Sequence, residues 1–271
     1  MKNKPLVSII VPTKNSESTI SACLKSIKSQ SYKNLEIIVV DNNSADKTKD
    51  IASKYTKKLV FNKGPERSAQ RNFGADKAKG NYLLFIDSDM TLDKNVIKDC
   101  VKKVKADNYD AIIIPEISFG TTFWSKVKAF ERSYYVNNDD IEAARFYSKK
   151  VFFENHGFNE ELIAGEDWDL SDRIRKKYRI GRIDSFIKHN EGELTLFNLL
   201  KKKFYYAKNA KRYLSENQSA PISKKIPILR PVFYKDISKI FRNPILFVAM
   251  ITMLLLETII GGVGLLEINS D

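Results

Sequence analysis

The sequence predicts an α/β fold, a mostly parallel Rossmann-like sheet flanked by helices, with a C-terminal amphipathic or transmembrane helical segment. Three observations support this. Short β-branched apolar runs alternate with segments of helical period through residue 115. The residues after those runs are polar and acidic, and a long, nearly uncharged stretch lies near the carboxyl end. At 271 residues the chain is long enough for one large domain with a buried core plus an appendage, and it has neither repeats nor low-complexity tracts.

Pro5 to Pro12 is an almost continuous apolar run ending at a proline, which suits a strand buried on both faces. Ile20, Cys23, Leu24 and Ile27 recur at helical spacing within Ser18 to Ser29, and Leu35 to Val40 reads as a second strand, so the chain opens on a β-α-β unit. The alternation continues with a polar helix at Asp46 to Tyr55, a strand at Lys58 to Asn62 and a helix from Glu66 to Ala78. Then come a strand at Tyr82 to Ile86, a helix at Lys94 to Lys105 and a strand at Ala111 to Ile114. Beyond Pro115 the pattern loosens. Aromatic helical stretches lie around Phe123 to Tyr135, a strand at Ala143 to Tyr147, a charged helix from Leu170 to Tyr178 and a strand pattern at Ile183 to Ile187.

The two cysteines, Cys23 and Cys100, fall in helical stretches where a small buried hydrophobe would serve, and are read as reduced and structural. The amino terminus enters a strand pattern without the apolar region of a signal peptide, so the α/β domain is expected in the cytosol. The net charge of +13 is uneven: Phe197 to Arg242 holds 12 Lys or Arg against 2 acidic residues. This basic stretch directly precedes the most apolar one, Pro244 to Leu266, so anionic membrane lipids fit it better than nucleic acid.

Ligands in open α/β sheets sit outside the carboxyl ends of the strands. Two of those ends carry Asp41-Asn-Asn-Ser44 and Asp87-Ser-Asp89. A carboxylate there can accept hydrogen bonds from a ribose or base, and two spaced i, i+2 can offer oxygens to a hard divalent cation; plain capping aspartates would look the same. Gly165-Glu-Asp-Trp-Asp169 precedes the charged helix, where acidic residues also complement the helix dipole.

Taken in order, Val7-Ser-Ile-Ile-Val-Pro-Thr-Lys-Asn15, Ile37-Ile-Val-Val-Asp-Asn-Asn-Ser44, Ala69-Gln-Arg-Asn-Phe-Gly74, Leu84-Phe-Ile-Asp-Ser-Asp89 and Gly165-Glu-Asp-Trp-Asp169 resemble the family 2 glycosyltransferases of GT-A fold. The resemblance runs through most of the chain. It implies that Pro12, Asn15 and Glu17 lie in the loop framing the nucleotide and that Asp41 receives the base or ribose. It also implies that Arg71 lies near the diphosphate, that Asp89 binds a Mn²⁺ or Mg²⁺ ion, and that Asp87 serves the ribose or the metal shell. The Glu166–Asp167 pair would supply the catalytic base, with Asp167 at the matching position. His189 stands where many members carry a histidine that reaches the metal or diphosphate, although a lone histidine is more often structural.

Ile245 to Leu256 is uncharged, Glu257 interrupts it, and Thr258 to Leu266 is uncharged again. That length suffices for a spanning or deeply re-entrant helix, and Glu257 is its flaw; a buried core or dimerisation helix is the alternative. Pro231 to Phe241 mixes apolar residues with lysines, as in a helix lying among headgroups. The expected domains are a catalytic domain at 1–215, with a nucleotide-binding half at 1–115 and an acceptor half at 116–215. A basic juxtamembrane segment at 216–243 and a membrane-embedded helix at 244–268 follow. The expected function is an inverting, metal-dependent transfer from a nucleotide-diphosphate sugar to a hydroxyl of a lipid or lipid-linked acceptor. It would take place at the cytoplasmic face of the cell membrane. A polyprenyl-phosphate transferase and a non-catalytic membrane-docking nucleotide-binding protein are the alternatives.

Overall fold

The computed structural model describes residues 4–62, 64, 67–139, 141–208 and 227–266. Contacts divide the chain into two compact units. Unit 1 holds the chain up to Glu116 together with Asn137–Glu161 and Glu166–His189; unit 2 holds Ile117–Val136, Leu162–Gly165 and the chain from Asn190.

The strands are β1 (Val7–Thr13), β2 (Leu35–Asp41), β3 (Leu59–Phe61), β4 (Tyr82–Phe85), β5 (Met90–Leu92), β6 (Ala111–Ile113), β7 (Glu116–Phe119), β8 (Ala144–Ser148), β9 (Ile180–Arg182) and β10 (Ile187–Asn190). In unit 1 a seven-stranded sheet runs in the order β3-β2-β1-β4-β8-β6-β9. All neighbours are parallel except β8, which is antiparallel to both β4 and β6. Alternation of strands and helices does not reveal such an inserted strand. β5 and β10 pair antiparallel beside it, bringing His189 opposite Met90.

Side chains alternate across the pleat, so each strand feeds two cores. Ile9, Val11, Val39 and Leu84 pack with α1 (Ile20–Lys28) and α4 (Val96–Asp107), and both cysteines are buried and unpaired there. Ile10, Val40, Phe85 and Tyr147 pack with α3 (Arg67–Lys77), α6 (Lys149–Glu154) and α7 (Glu166–Arg175). The short α2 (Thr48–Ser53) follows the loop after β2. α3 lies very close on the sheet: a Cβ on Gly74 would come within 2.5 Å of Ile10 Cγ2 and 2.9 Å of Val40 Cγ2.

Three expected elements differ. Ile183 to Phe186 is not a strand but the link between β9 and β10, and pairing begins only at Ile187, opposite Leu92; Ile183 and Ile187 are both buried, so the apolar pattern at 183 reflects burial rather than pairing. The charged helix starts at Glu166, which puts Glu166, Asp167 and Asp169 in its first turn. The amphipathic stretch 231–241 is two short helices, α9 (Val232–Lys235) and α10 (Ile237–Arg242), broken at Asp236, whose side chain accepts from Lys239 N at 3.3 Å. Residues 209–226, which include part of the expected basic segment 216–243, lie outside the described residues.

Unit 2 packs α5 (Phe123–Ser133), α8 (Leu196–Lys208), α9 and α11 (Pro244–Leu266) around Val127, Phe130, Leu199, Phe233, Met250, Met253 and Leu254. Thr122 caps α5 by accepting from Ser125 N at 3.2 Å.

Candidate active site

All the candidate residues lie in unit 1, and most stand at the carboxyl ends of β1, β2 and β4. The loops after β1 and β2 hold each other. Asn15 takes a left-handed backbone (φ 49°), a conformation asparagine tolerates, and its Oδ1 accepts from Ala45 N at 2.9 Å. Glu17 Oε2 accepts from Lys47 N at 3.0 Å, and Asp46 Oδ2 accepts from Glu17 N at 3.0 Å. Pro12 is buried within β1. Asp41 is fully buried: its oxygens accept from Thr13 Oγ1 (3.2 Å), Ser44 Oγ (2.5 Å) and Ser44 N (2.8 Å). It therefore holds the floor of the loop, and a nucleoside would have to displace one of these donors to reach it.

Arg71 is 1% exposed and gathers three carboxylates. Its Nη1 donates to Glu166 Oε1 at 3.2 Å and Asp167 Oδ1 at 3.0 Å, and its Nη2 donates to Asp87 Oδ1 at 2.8 Å. The Phe158 ring lies 5.2 Å from its guanidinium carbon. Burial alone would disfavour charge on Asp87, but the guanidiniums of Arg71, Arg145 and Arg67 outweigh it and hold that carboxyl far below the usual range. Burial and the neighbouring Asp167 push Glu166 the other way, upward, against the pull of Arg71 and Arg67. Within the pair Glu166 is buried, whereas the Asp167 side chain is 30% exposed.

Asp89 is more open, and its Oδ2 lies 3.4 Å from His189 Nε2. Its Oδ1 is buried with no hydrogen-bond partner among the described residues. Ser88 Oγ meets Ser16 Oγ at 2.8 Å, tying this loop to the one after β1.

Sequence reasoning missed Arg145, Glu116 and Gln70. Arg145 Nη1 lies 3.5 Å from Asp87 Oδ2, and its Nε donates to Glu116 Oε1 at 2.5 Å. Glu116 Oε2 lies 3.8 Å from His189 Nδ1. Opposite charges thus alternate along Asp167–Arg71–Asp87–Arg145–Glu116, and His189 stands between Glu116 and Asp89. The available signal for Arg145 was an arginine inside an otherwise apolar strand, where an unpaired charge would be costly. Buried Gln70 donates to Thr13 O (3.0 Å) and Val40 O (2.8 Å), fastening α3 to the ends of β1 and β2. Trp168, beside the acidic pair, is a structural tie: its Nε1 donates to Ile141 O at 2.6 Å.

Buried arginines, paired carboxylates and a partly exposed aspartate beside a histidine thus gather at the carboxyl ends of the sheet, where open α/β folds receive charged ligands. The profile of Glycosyl transferase family 2 matches residues 8–174, and the chain belongs to that family. It is 31% identical over 206 residues to the GalNAc(5)-diNAcBac-PP-undecaprenol β-1,3-glucosyltransferase of Campylobacter jejuni, covering 66% of this chain and 65% of that one. The chain spans less than two thirds of the length of the curated relatives it matches, down to 20% of TarS from Staphylococcus aureus. The fold is GT-A. The mannosyltransferase PcManGT from Pyrobaculum calidifontis, solved with GDP-Man and Mn²⁺, superposes with a TM-score of 0.64 at 14% identity, over 98% of this chain and 88% of that one. Residues 1–349 of S. aureus TarS give 0.56 at 20% identity, over 93% and 80%; that protein has also been solved with UDP and with UDP-GlcNAc.

Proposed function

We propose that the protein is an inverting glycosyltransferase that moves a sugar from a nucleotide-diphosphate sugar to a hydroxyl of a lipid or lipid-linked acceptor. Mn²⁺ or Mg²⁺ is its cofactor and the cytoplasmic face of the cell membrane its place of work. The observation that carries this reading is the network of buried ion pairs from Asp167 to Glu116, with His189 joining it to Asp89, beside the strand ends. The nucleotide and nucleotide-sugar complexes of the structural relatives support the donor class, and the undecaprenol-linked substrate named for the C. jejuni relative supports a lipid-linked acceptor. The apolar helix α11 supports membrane association.

Asp89 and His189 would hold the metal. The fit rests on the buried, unbonded Asp89 Oδ1 and on a donor set of carboxylate and imidazole, which leaves room for diphosphate oxygens. A bound metal neutralises the charge that grows on the diphosphate as the glycosidic bond breaks. The loop of Pro12, Asn15 and Glu17, with Asp41 beneath it, receives the nucleoside. Asp167, the accessible carboxylate of its pair, takes the acceptor proton as the hydroxyl attacks the anomeric carbon from the face opposite the leaving group. Arg71 acts as a positioning residue rather than a diphosphate contact, because its guanidinium is buried among Asp87, Glu166 and Asp167. A phosphate acceptor is the second reading. The Arg71–Asp167 bond favours it, since it already occupies one oxygen of Asp167, and an acceptor already anionic needs no base.

Calorimetric titration of nucleoside diphosphates with and without Mn²⁺ tests the donor site. Metal-dependent binding should vanish in Asp89→Ala; unchanged affinity with unchanged metal dependence would overturn the assignment.

A further inference from the structure

The membrane attachment proposed above leaves open how α11 meets the bilayer, and its two faces answer differently. Met250, Met253, Leu254, Glu257, Gly261 and Gly264 are all buried, and they recur every three or four residues along one stripe. Ile245, Val248, Leu255, Ile259 and Val263 are exposed, with Ile245 74% accessible, and they form another stripe of the same helix.

The buried stripe is committed to unit 2. Glu257 lies 3.6 Å from Lys128 Nζ, which also bonds Glu131 Oε2 at 2.6 Å. Glu131 in turn accepts from the Tyr135 hydroxyl, to which Arg230 Nη1 donates at 2.7 Å. The acidic residue that marred the helix as a span therefore has its counter-charge inside the protein. The glycines set a close approach: a Cβ on Gly264 would come within 3.0 Å of Phe204 O and 3.2 Å of Ala207 Cβ, and one on Gly261 within 3.3 Å of Lys203 Cε. α8 is thus packed along the carboxyl-terminal half of α11, and α8 carries the exposed Lys201 and Lys202. A helix crossing the bilayer in this packing would draw those ammonium groups toward the hydrocarbon, where charged side chains are strongly disfavoured.

We infer that α11 lies flat in one leaflet, with one face fixed to unit 2 and the opposite stripe immersed among the acyl chains of an anionic membrane. This deepens the proposed membrane attachment and rests on it. The occupant follows from charge. Phe241, 80% exposed, and the exposed Arg242 immediately precede α11, and with Lys201 and Lys202 they supply apolar and cationic groups suited to the headgroup boundary.

The test uses the full chain. Cys23 and Cys100 are buried, so an environment-sensitive fluorophore can be placed on single variants Val248→Cys, Leu255→Cys, Ile259→Cys and Val263→Cys. The labelled proteins are bound to mixed phosphatidylcholine–phosphatidylglycerol vesicles carrying spin labels at shallow or deep acyl positions. All four should be quenched alike and best by the shallow label. Binding should fall at least tenfold on pure phosphatidylcholine, since each basic side chain near the surface contributes about fivefold. A depth profile, with the middle positions quenched by the deep label and the ends by the shallow one, would overturn the flat geometry while leaving membrane attachment standing. Failure to float with either vesicle would overturn the attachment itself. Cysteine cross-links between copies at Val248 or Ile259, with lipid giving no quenching, would assign the stripe to a second copy and overturn the inference as well.

Discussion

The two units both pair buried charges but place their large apolar side chains differently. Unit 1 buries nearly all of its own and pairs the buried Arg71 and Arg145 with carboxylates. Among the described residues, its large exposed hydrophobics are Phe61 and Phe153, and every other one lies in unit 2. Unit 2 buries an ionic network of Lys128, Glu131 and Glu257 and turns isoleucine, valine and leucine outward. An apolar stretch therefore carries different information in each. In unit 1 it marks the inside of a sheet, and in unit 2 half of it marks a surface.

Removing the buried cation from unit 1 should break that pairing most severely. Arg71→Met leaves three carboxylates facing one another and is expected to destabilise the fold by about 3–5 kcal/mol, read as a fall in the denaturation midpoint. The two stripes of α11 should separate next. Leu254→Ala is expected to cost about 2–5 kcal/mol, whereas Ile259→Ala should stay within about 0.5 kcal/mol, both by chemical denaturation. Equal losses at the two positions would erase the distinction between the faces. By the same reasoning, deleting 244–271 is a poor probe of membrane binding, because it also strips Met250, Met253 and Leu254 from the core of unit 2.

A functional change should then appear with little structural cost. Asp167→Asn is expected to lower turnover by about a hundredfold or more while leaving donor affinity nearly intact. Survival of turnover would point to the phosphate acceptor. The smallest effect concerns pH. Glu166 has a raised folded pKa, so its ionised form subtracts stability near neutrality, and the penalty is relieved as pH falls through that raised value. Asp87 is depressed, so its contribution is present above about pH 4 and is lost only as pH falls further, through its folded value. Glu166→Gln should therefore melt no lower than the unaltered protein near neutrality, with any difference closing on acidification. A melting temperature that drops sharply at neutral pH would show that Arg71 needs all its partners.

Much of unit 1 was legible because burial on both faces of a parallel sheet leaves continuous apolar runs, as at Val7–Thr13 and Leu35–Asp41. β8 was legible as a strand but not as an antiparallel insertion, since pairing direction leaves no trace in local period. Asp41, Asp87 and Asp89 could be singled out because they stand at or just after strand ends. Arg145 and Glu116 could not be joined to them, because 29 residues separate the two and the link exists only in three dimensions. The apolar tail was legible as a helix, but not its two faces. Composition alone does not distinguish a helix surrounded by lipid from one whose second face, with Glu257, is already claimed by Lys128.

Gly74 gives the site its tolerance. It lies on α3, one turn beyond Arg71. The absent side chain lets the helix settle against Ile10 and Val40, and so sets how far the guanidinium reaches past the sheet edge. A single methyl there would work as a shim, forcing the helix or the side chains of Ile10 and Val40 to shift and loosening contacts now at 2.8–3.2 Å on three carboxylates at once. The alignment of the charged centre is thus gauged at a position that carries no charge, and changes in catalysis can arise from a residue that meets no substrate.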